Sequence, residues 1–485
     1  MKHTVSLFTP TPQFANDLSD VVRIFWGDAD FLVNESGGDV TVRHIETAAT
    51  GERSCRIEMT GAFAAQAQRT GAVDTNPLLD KRYHKRLIKQ TLYDVMKQLA
   101  LFSPPWGSLT GIRPTRLIYE AMNRGKTLEE AVQEAEEMFD IQKEKAALLR
   151  EIVLVQREMT VPDDREVDLY VGIPFCVSRC AYCSFLSGEV GKGKQLSPYV
   201  EALQREIQGT LRLIEEKGLV PRAFYMGGGT PTALSAKLLD EVLSQAQPFI
   251  DRAREVTVEA GRPDTIDGEK LQVIRDHGAT RISINPQTRH DETLKRIGRR
   301  HTTAQTEEAY ALARKMGFGH INMDLIAGLP GENLEMFLNT LAWSRELKPE
   351  SLTVHTLSIK RSSLLHLWEA ELPDGRMVSQ MVDAGRAEAR SRGMRPYYLY
   401  RQKHMAGNLE NVGYALPGHE CMYNVDMMEE TGHVMAAGAG AISKRVAPAI
   451  GRIERAPNVS EISQYIERTD EMLERKQALW RGVWE

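Results

Sequence analysis

Apolar residues change their spacing along the chain, and those changes divide it into three regions. From Met1 to about Gly61 they alternate with polar residues in short segments at 21–26, 40–43 and 55–59. A period of two over so few residues predicts strands, and hence a small sheet. From Lys81 to about Thr160 the period lengthens. Leu87, Leu92, Val95 and Leu99 share a helical face, and a second helical run spans residues 131–155. Residues 161–165, Val-Pro-Asp-Asp-Arg, read as a boundary. Beyond it, short β-like runs near 168–172, 223–225, 256–259, 281–285, 321–326 and 352–357 alternate with helical stretches. A repeated strand–helix pattern predicts a parallel sheet or barrel. Six units fall short of the eight of a closed barrel, so the expected fold is α/β, a partial (β/α)6 barrel. From Ser362 the pattern is helical, then a strand at 397–400, a Gly- and polar-rich loop through Gly418, a strand near 433–437 and a helical tail. The expected organisation is an N-terminal α+β module (1–160), the partial barrel (161–360) and a mixed C-terminal module (361–485).

Composition narrows the setting. A chain of 485 residues with net charge -5 has no general attraction for nucleic acid or anionic membrane. The basic run at 81–86 reads as a solvated helix face, with a docking patch as the alternative. Of five cysteines, three are clustered and two, Cys55 and Cys421, are isolated. That is no disulfide framework, and it points to a reducing interior, the cytoplasm. The first residues lack the apolar run of a signal peptide, and no later segment is apolar for long enough to anchor the chain in a bilayer.

The chemistry concentrates where strands end. Cys176, Cys180 and Cys183 follow the first barrel strand at spacings of four and three, so one loop can present three thiolates to a common centre. Thiolate is the preferred ligand of iron–sulfur clusters, and three donors leave one iron of a 4Fe–4S cluster open to an outside ligand. Zinc, which takes four ligands in paired spacing, and three ordinary buried cysteines are the other readings. The spacing, with Tyr182 before the last cysteine, resembles the radical S-adenosylmethionine (SAM) signature. Gly227, Gly228, Gly229 and Thr230 follow the second strand, and glycines there expose backbone that side chains would screen. Glu259, Gln287 and Asp324 lie at or near the ends of later strands, placing polar groups around one pocket of the kind a polar nucleoside requires. Lys295, Arg296, Arg299 and Arg300 form a cationic run, and arginine's planar fork suits carboxylates. Each of these also has a plainer reading, as a turn, a cap or a solvated helix end.

The cysteine loop, the glycine turn, the segment Asn322–Gly331 and the late Ala437–Ser443 segment together resemble the oxygen-independent coproporphyrinogen III oxidase family. The resemblance runs in order over residues 168–444. Segments 109–116 and 408–414 are similar to the HemZ branch in particular. The resemblance implies a radical SAM barrel in which Cys176, Cys180 and Cys183 bind a 4Fe–4S cluster whose free iron is chelated by SAM. Gly228, Gly229 and Thr230 would line the methionine end, and Glu259, Gln287, Arg299 and Asp324 would contact SAM. A low-potential electron donor is implied. So is a tetrapyrrole substrate, from which a 5′-deoxyadenosyl radical would abstract a propionate β-hydrogen. Loss of carbon dioxide and one electron would then leave a vinyl group, and two such steps give protoporphyrinogen IX. Tyr170, six residues before Cys176, is retained and is with Arg299 the catalytic candidate, although a strand tyrosine is by default core.

The sequence also departs from the family. Phe185 stands where some oxidases carry a further cysteine, and Gly172 where they carry histidine. Phe185 resembles the haem-chaperone branch, but that branch has a histidine before asparagine in its C-terminal module, and here the pair is Tyr423–Asn424. Cys421 reads as structural, with a haem or substrate ligand as its functional version, and His404, His419 and His433 read as solvated, with axial ligation as theirs. The leading expectation is a radical SAM enzyme acting on a porphyrinogen. A haem-binding chaperone and a radical SAM enzyme acting on RNA are the alternatives, the last disfavoured by the acidic balance.

Overall fold

In the computed structural model the described residues are 3–481, apart from 28, 101, 112, 160, 184–187, 192, 360–371, 404 and 448–451. The chain divides into two compact units, Met1–Arg150 with Arg401–Leu409, and Glu151–Tyr400 with Glu410–Glu485.

The first unit carries a five-stranded sheet in the order Asp30–Val33, Thr4–Phe8, Val40–Ala49, Glu52–Gly61, Ala65–Ala72. The three strands through Val40–Ala49 are parallel, and the last two close antiparallel. One expected strand is a helix: residues 21–26 end the helix Ala15–Trp26, whose Leu18, Val21 and Val22 are buried at helical spacing. Six residues were too few to separate the two periods, and the apolar positions upstream decide for helix. The helix Pro77–Leu99 starts at Asn76, whose side chain accepts from the Leu78 and Leu79 amides, and it buries Leu87, Leu92 and Val95 against the sheet. The second helical run splits into Leu128–Phe139 and Lys143–Glu158, because Asp140 takes a left-handed conformation (φ 57°) between them. In the basic run, Arg82 pairs with Glu120 and Lys85 with Asp17 as on a solvated face, whereas Arg86 lies over Phe139. Arg401 ties its segment into this unit by donating to the Leu109 carbonyl at 2.6 Å and stacking 5.2 Å over Trp106.

The second unit is organised by one eleven-stranded sheet, numbered here in chain order. Its parallel centre is β1 (Glu166–Ile173), β2 (Val220–Gly228), β3 (Glu255–Gly261), β4 (Arg281–Ile284), β5 (His320–Ala327) and β6 (Ser351–Thr356). These are the six expected strands. Their residues are almost all buried, as strands covered by helices on the outside and filled on the inside require. The sheet continues through β7 (Arg395–Tyr400), β8 (Asn411–Ala415), β9 (His433–Ala437), β10 (Ile442–Ala447) and β11 (Arg452–Pro457), in the order β7-β8-β6-β5-β4-β3-β2-β1-β9-β10-β11. Its two ends are not joined, which gives an open partial barrel. The segments beyond β6 therefore extend the barrel's own sheet.

Three strands differ from the sequence reading. β8 lies within the segment expected as a loop; it contains Gly413, where a Cβ would sit 1.8 Å from the Tyr398 ring. A glycine that looks like a loop residue is there to admit an aromatic side chain from β7. β10 and β11 lie between the expected strand and the helical tail. They pair antiparallel at the sheet's edge, and their charged positions hide the alternation.

Buried ion pairs fasten the later segments. Arg222 on β2 donates to Asp426 at 2.6 Å and to Glu166 at 3.0 Å, holding the helix Met422–Glu429 against the strands. Lys476 pairs with Glu206, both fully buried, and Tyr465 donates to the same carboxylate. Among the described residues no helix is long and apolar enough to cross a membrane.

Candidate active site

The cysteine loop leaves β1 at Ile173 and is held along its length. Phe175–Cys176 pairs with Gly188–Glu189, the Ala181 amide donates to the Ile297 carbonyl at 2.9 Å, and the Ser178 hydroxyl donates to the Gly298 carbonyl at 3.1 Å. Ala181 and Tyr182 pack among Leu294, Ile297, Ile326, Leu329 and Leu357. Cys180 is buried, while Cys176 and Cys183 are half-buried. Two guanidinium groups flank Cys180. Arg262, paired with Asp264 at 2.9 Å, donates to the Ser178 carbonyl at 3.0 Å and reaches within 4.0 Å of the Cys180 sulfur. Arg299 donates to the Tyr182 hydroxyl at 3.3 Å and to the Asn285 carbonyl at 2.6 Å. Burial alone would disfavour its charge, but the Tyr182 hydroxyl and the Cys180 thiol outweigh this and push its pKa above the ordinary value.

Of the cationic run, Arg299 alone enters this interior. Lys295 is exposed and paired with Glu292, Arg296 donates to the Pro330 carbonyl, and Arg300 is exposed.

The glycine turn packs directly on the loop. The Gly229 amide donates to the Ile173 carbonyl and the Thr230 amide to the Phe175 carbonyl, each at 2.8 Å, and the Gly228 amide serves Glu259. These three donors are therefore spent within the protein. What requires glycine is close approach: a Cβ on Gly229 would lie 2.6 Å from the Phe175 carbonyl oxygen, and Gly228, at φ +108°, would bring one to 3.1 Å from the Tyr170 hydroxyl. The Thr230 hydroxyl lies 3.5 Å from the Cys176 sulfur.

Beyond the turn, Glu259 accepts from the Tyr225 hydroxyl at 2.5 Å. Burial raises its pKa to about 7; the Tyr225 hydrogen bond opposes the rise and Asp324 adds to it. Asp324 differs: burial would raise it too, but His355 and the Asn322 amide, at 2.8 Å, hold its pKa below the ordinary value. Gln287 is buried at φ +71°, its backbone bridging the Asp324 carbonyl and the Ile326 amide. Such a conformation is uncommon in a non-glycine residue and is held here by the two backbone hydrogen bonds. Among the described residues its Oε1 has no hydrogen-bond partner, and the same holds for Asn285 Oδ1 and Ser283 Oγ on the adjoining strand end. Tyr170 stacks with Tyr225 (6.4 Å) and Tyr423 (6.1 Å), which face each other at 4.3 Å.

The donor set fits an iron–sulfur cluster and a polar nucleoside. Among the described residues no group of three His, Cys, Asp or Glu side chains converges tightly enough for a single ion. A four-iron cubane makes no such demand, since each thiolate binds its own iron. The orphaned oxygens at the end of β4 are what an amino or hydroxyl donor would satisfy.

Arg262, His355 and Tyr400 were missed by sequence reasoning. The first had a faint signal, an arginine just past a strand end; the other two had none. Cys421, whose thiol donates to Glu255 at 3.2 Å with its pKa raised by burial, is structural. His433 uses both ring nitrogens, towards the Asp164 carbonyl and the Val446 amide, and His419 faces His320 at 3.2 Å. Phe185 and His404 lie outside the described residues.

Glu259 makes the fold pH-sensitive. The folded protein keeps a proton that the unfolded chain releases between about pH 4.5 and 7, so this group's stability term is full below that window and falls as pH rises through it. Glu259→Gln is expected to match wild type in urea unfolding near pH 4.5. At pH 8 it should exceed wild type by about 3 kcal/mol, at about 1.4 kcal/mol per unit. An equal difference at both pH values would exclude this origin.

The Radical SAM superfamily matches residues 170–344. The chain is 41% identical over 403 residues to the oxygen-independent coproporphyrinogen-III oxidase-like protein HemZ of Bacillus subtilis, covering 81% of this chain and 80% of that protein. It is 30% identical over 291 residues to the heme chaperone HemW of Escherichia coli, covering 60% and 72%. Its fold resembles the solved structure of the Escherichia coli coproporphyrinogen III oxidase HemN with a TM-score of 0.51 at 22% identity, over 64% of this chain and 70% of that one.

Proposed function

This chain belongs to the HemN/HemW/HemZ family of radical SAM proteins, which use a 4Fe–4S cluster and SAM, and from that premise we propose that it is an enzyme oxidising tetrapyrrole propionates to vinyl groups. Bound together, cluster and SAM would supply one-electron chemistry: an electron from an external low-potential donor would cleave SAM, hydrogen would be abstracted from a propionate β-carbon, and carbon dioxide would leave as one electron passes to an external one-electron acceptor.

The residues divide that work. Cys176, Cys180 and Cys183 would each hold one iron, and the Arg262 and Arg299 charges beside Cys180 offset the thiolates. Gly228, Gly229 and Thr230 shape the methionine end by staying out of it, while Gln287, Asp324 and Glu259 would orient the nucleoside and Arg299 the carboxylate. Tyr170 closes the floor beneath Gly228. The all-unpaired cysteines suit a reducing compartment, and the reading places the protein in the cytoplasm.

One observation carries this over the chaperone: Tyr423, standing where that branch has histidine, is buried in the aromatic stack with Tyr225 and Tyr170. The described histidines of the C-terminal segment are engaged as above. The test is anaerobic incubation of reconstituted protein with SAM, a reductant and coproporphyrinogen III. The expected result is divinyl product. Deoxyadenosine without vinyl product would mean another substrate, and stoichiometric haem binding without turnover would favour the chaperone.

A further inference from the structure

Six strands of the large sheet each turn a partly exposed polar side chain into the barrel: Tyr170, Tyr225, Glu259, Asp324, His355 and Tyr400. Contacts join them into a band of two groups, Tyr170 to Glu259 and Asp324 to Tyr400. Beyond the Tyr170–Tyr225 stack and the Tyr225–Glu259 hydrogen bond, His355 Nε2 lies 3.5 Å from Asp324 Oδ2, and its Nδ1 lies 3.3 Å from the Tyr400 hydroxyl. Five members are acids or phenols, and His355 is the one able to carry positive charge. A quarter of its side chain is exposed. Both of its contacts are long, so its ring can answer a ligand without breaking a tight bond.

The order of strands gives the band a direction. The cysteine loop follows β1, and the residues read above as SAM contacts sit on or after β2 to β5. His355 on β6 comes next in that row, on the side away from the loop, and Tyr400 on β7 reaches it across β8. A substrate carboxylate brought into the barrel is repelled by Glu259 where it is ionised, whereas the Asp324 charge is offset by His355. The Tyr225 hydroxyl is already given to Glu259. The edge that remains is Tyr400 with His355: an imidazolium that turns Nε2–H to the Asp324 carboxylate and donates Nδ1–H to the Tyr400 oxygen leaves the phenol O–H free to donate onward.

We propose that His355 and Tyr400 form the carboxylate subsite that positions a propionate of the substrate, an assignment resting on the tetrapyrrole reading above. His355 and Tyr400 would thereby act as specificity residues, selecting substrates by a free acid group.

The test uses reconstituted protein without reductant, so that binding is read without turnover. Coproporphyrin III, with four free carboxylates, and its tetramethyl ester are each titrated by fluorescence. His355→Phe is expected to weaken coproporphyrin III binding about 10- to 100-fold, the range for a lost charge-assisted hydrogen bond, with the ester unchanged. His355→Gln, which keeps a donor, should recover part of the loss, and SAM affinity should fall less than coproporphyrin III affinity in both variants. Undiminished coproporphyrin III binding by His355→Phe, a parallel loss for the ester, or an equal loss of SAM binding would overturn the subsite. Those results overturn this assignment alone if the wild type still forms vinyl product; a wild type that binds neither porphyrin overturns the tetrapyrrole reading with it.

Discussion

Cys180→Ala is expected to abolish the brown cluster absorbance and to cut SAM cleavage to below about a thousandth of wild type, because a cubane with one unligated protein corner is not retained. Cys180 is the most enclosed of the three thiols and the one flanked by Arg262 and Arg299. The loop itself does not depend on the sulfur. The Ser178–Gly298 and Ala181–Ile297 hydrogen bonds and the apolar packing of Ala181 and Tyr182 remain. The variant should therefore fold, with thermal unfolding of the metal-free protein close to wild type. Iron and sulfide analysis, absorbance and deoxyadenosine yield read the effect. Full iron content in the variant would remove Cys180 from the ligand set.

Gly229→Ala tests the other half of the site, and its effect is on folding as well as activity. The added methyl would meet the Phe175 carbonyl oxygen at 2.6 Å, and the Phe175 amide and Ile173 carbonyl oxygen at 2.9 Å. All three are backbone atoms, so relief requires moving the strand end that carries Cys176. A loss of about 2–4 kcal/mol is expected, at the upper end for overpacking because no flexible side chain can yield. Cluster loading should fall with it. Gly268→Ala is the control: nothing lies within 4 Å of its Cβ position, at the start of the helix Gly268–Asp276, and the change should be neutral or slightly stabilising. Equal urea midpoints for the two variants would show that the loop is not clamped against the turn.

Much of this site was legible because its chemistry is local. The three cysteines sit within eight residues, the glycines within three, and Glu259 and Asp324 lie in strands that apolar runs had already located. Only the structure shows what the turn's amides do: those of Gly228 and Gly229 go to Glu259 and the Ile173 carbonyl, and that of Thr230 to the Phe175 carbonyl. Within the cationic run Arg299 was already the candidate, and burial separates it from the exposed Lys295, Arg296 and Arg300.

By itself the sequence determined the six parallel strands, the loop of thiols and the row of polar groups at strand ends, since each depends on a pattern a few residues long. The tertiary structure alone decided that β8 joins β6 and carries β7 beside it, and that Tyr400 thereby meets His355 across 45 residues. Helix and strand periods are indistinguishable over six positions, and an edge strand rich in charge shows no alternation. Above all, pairing between distant strands is set by which packing buries the whole sheet, a property no short window of residues contains.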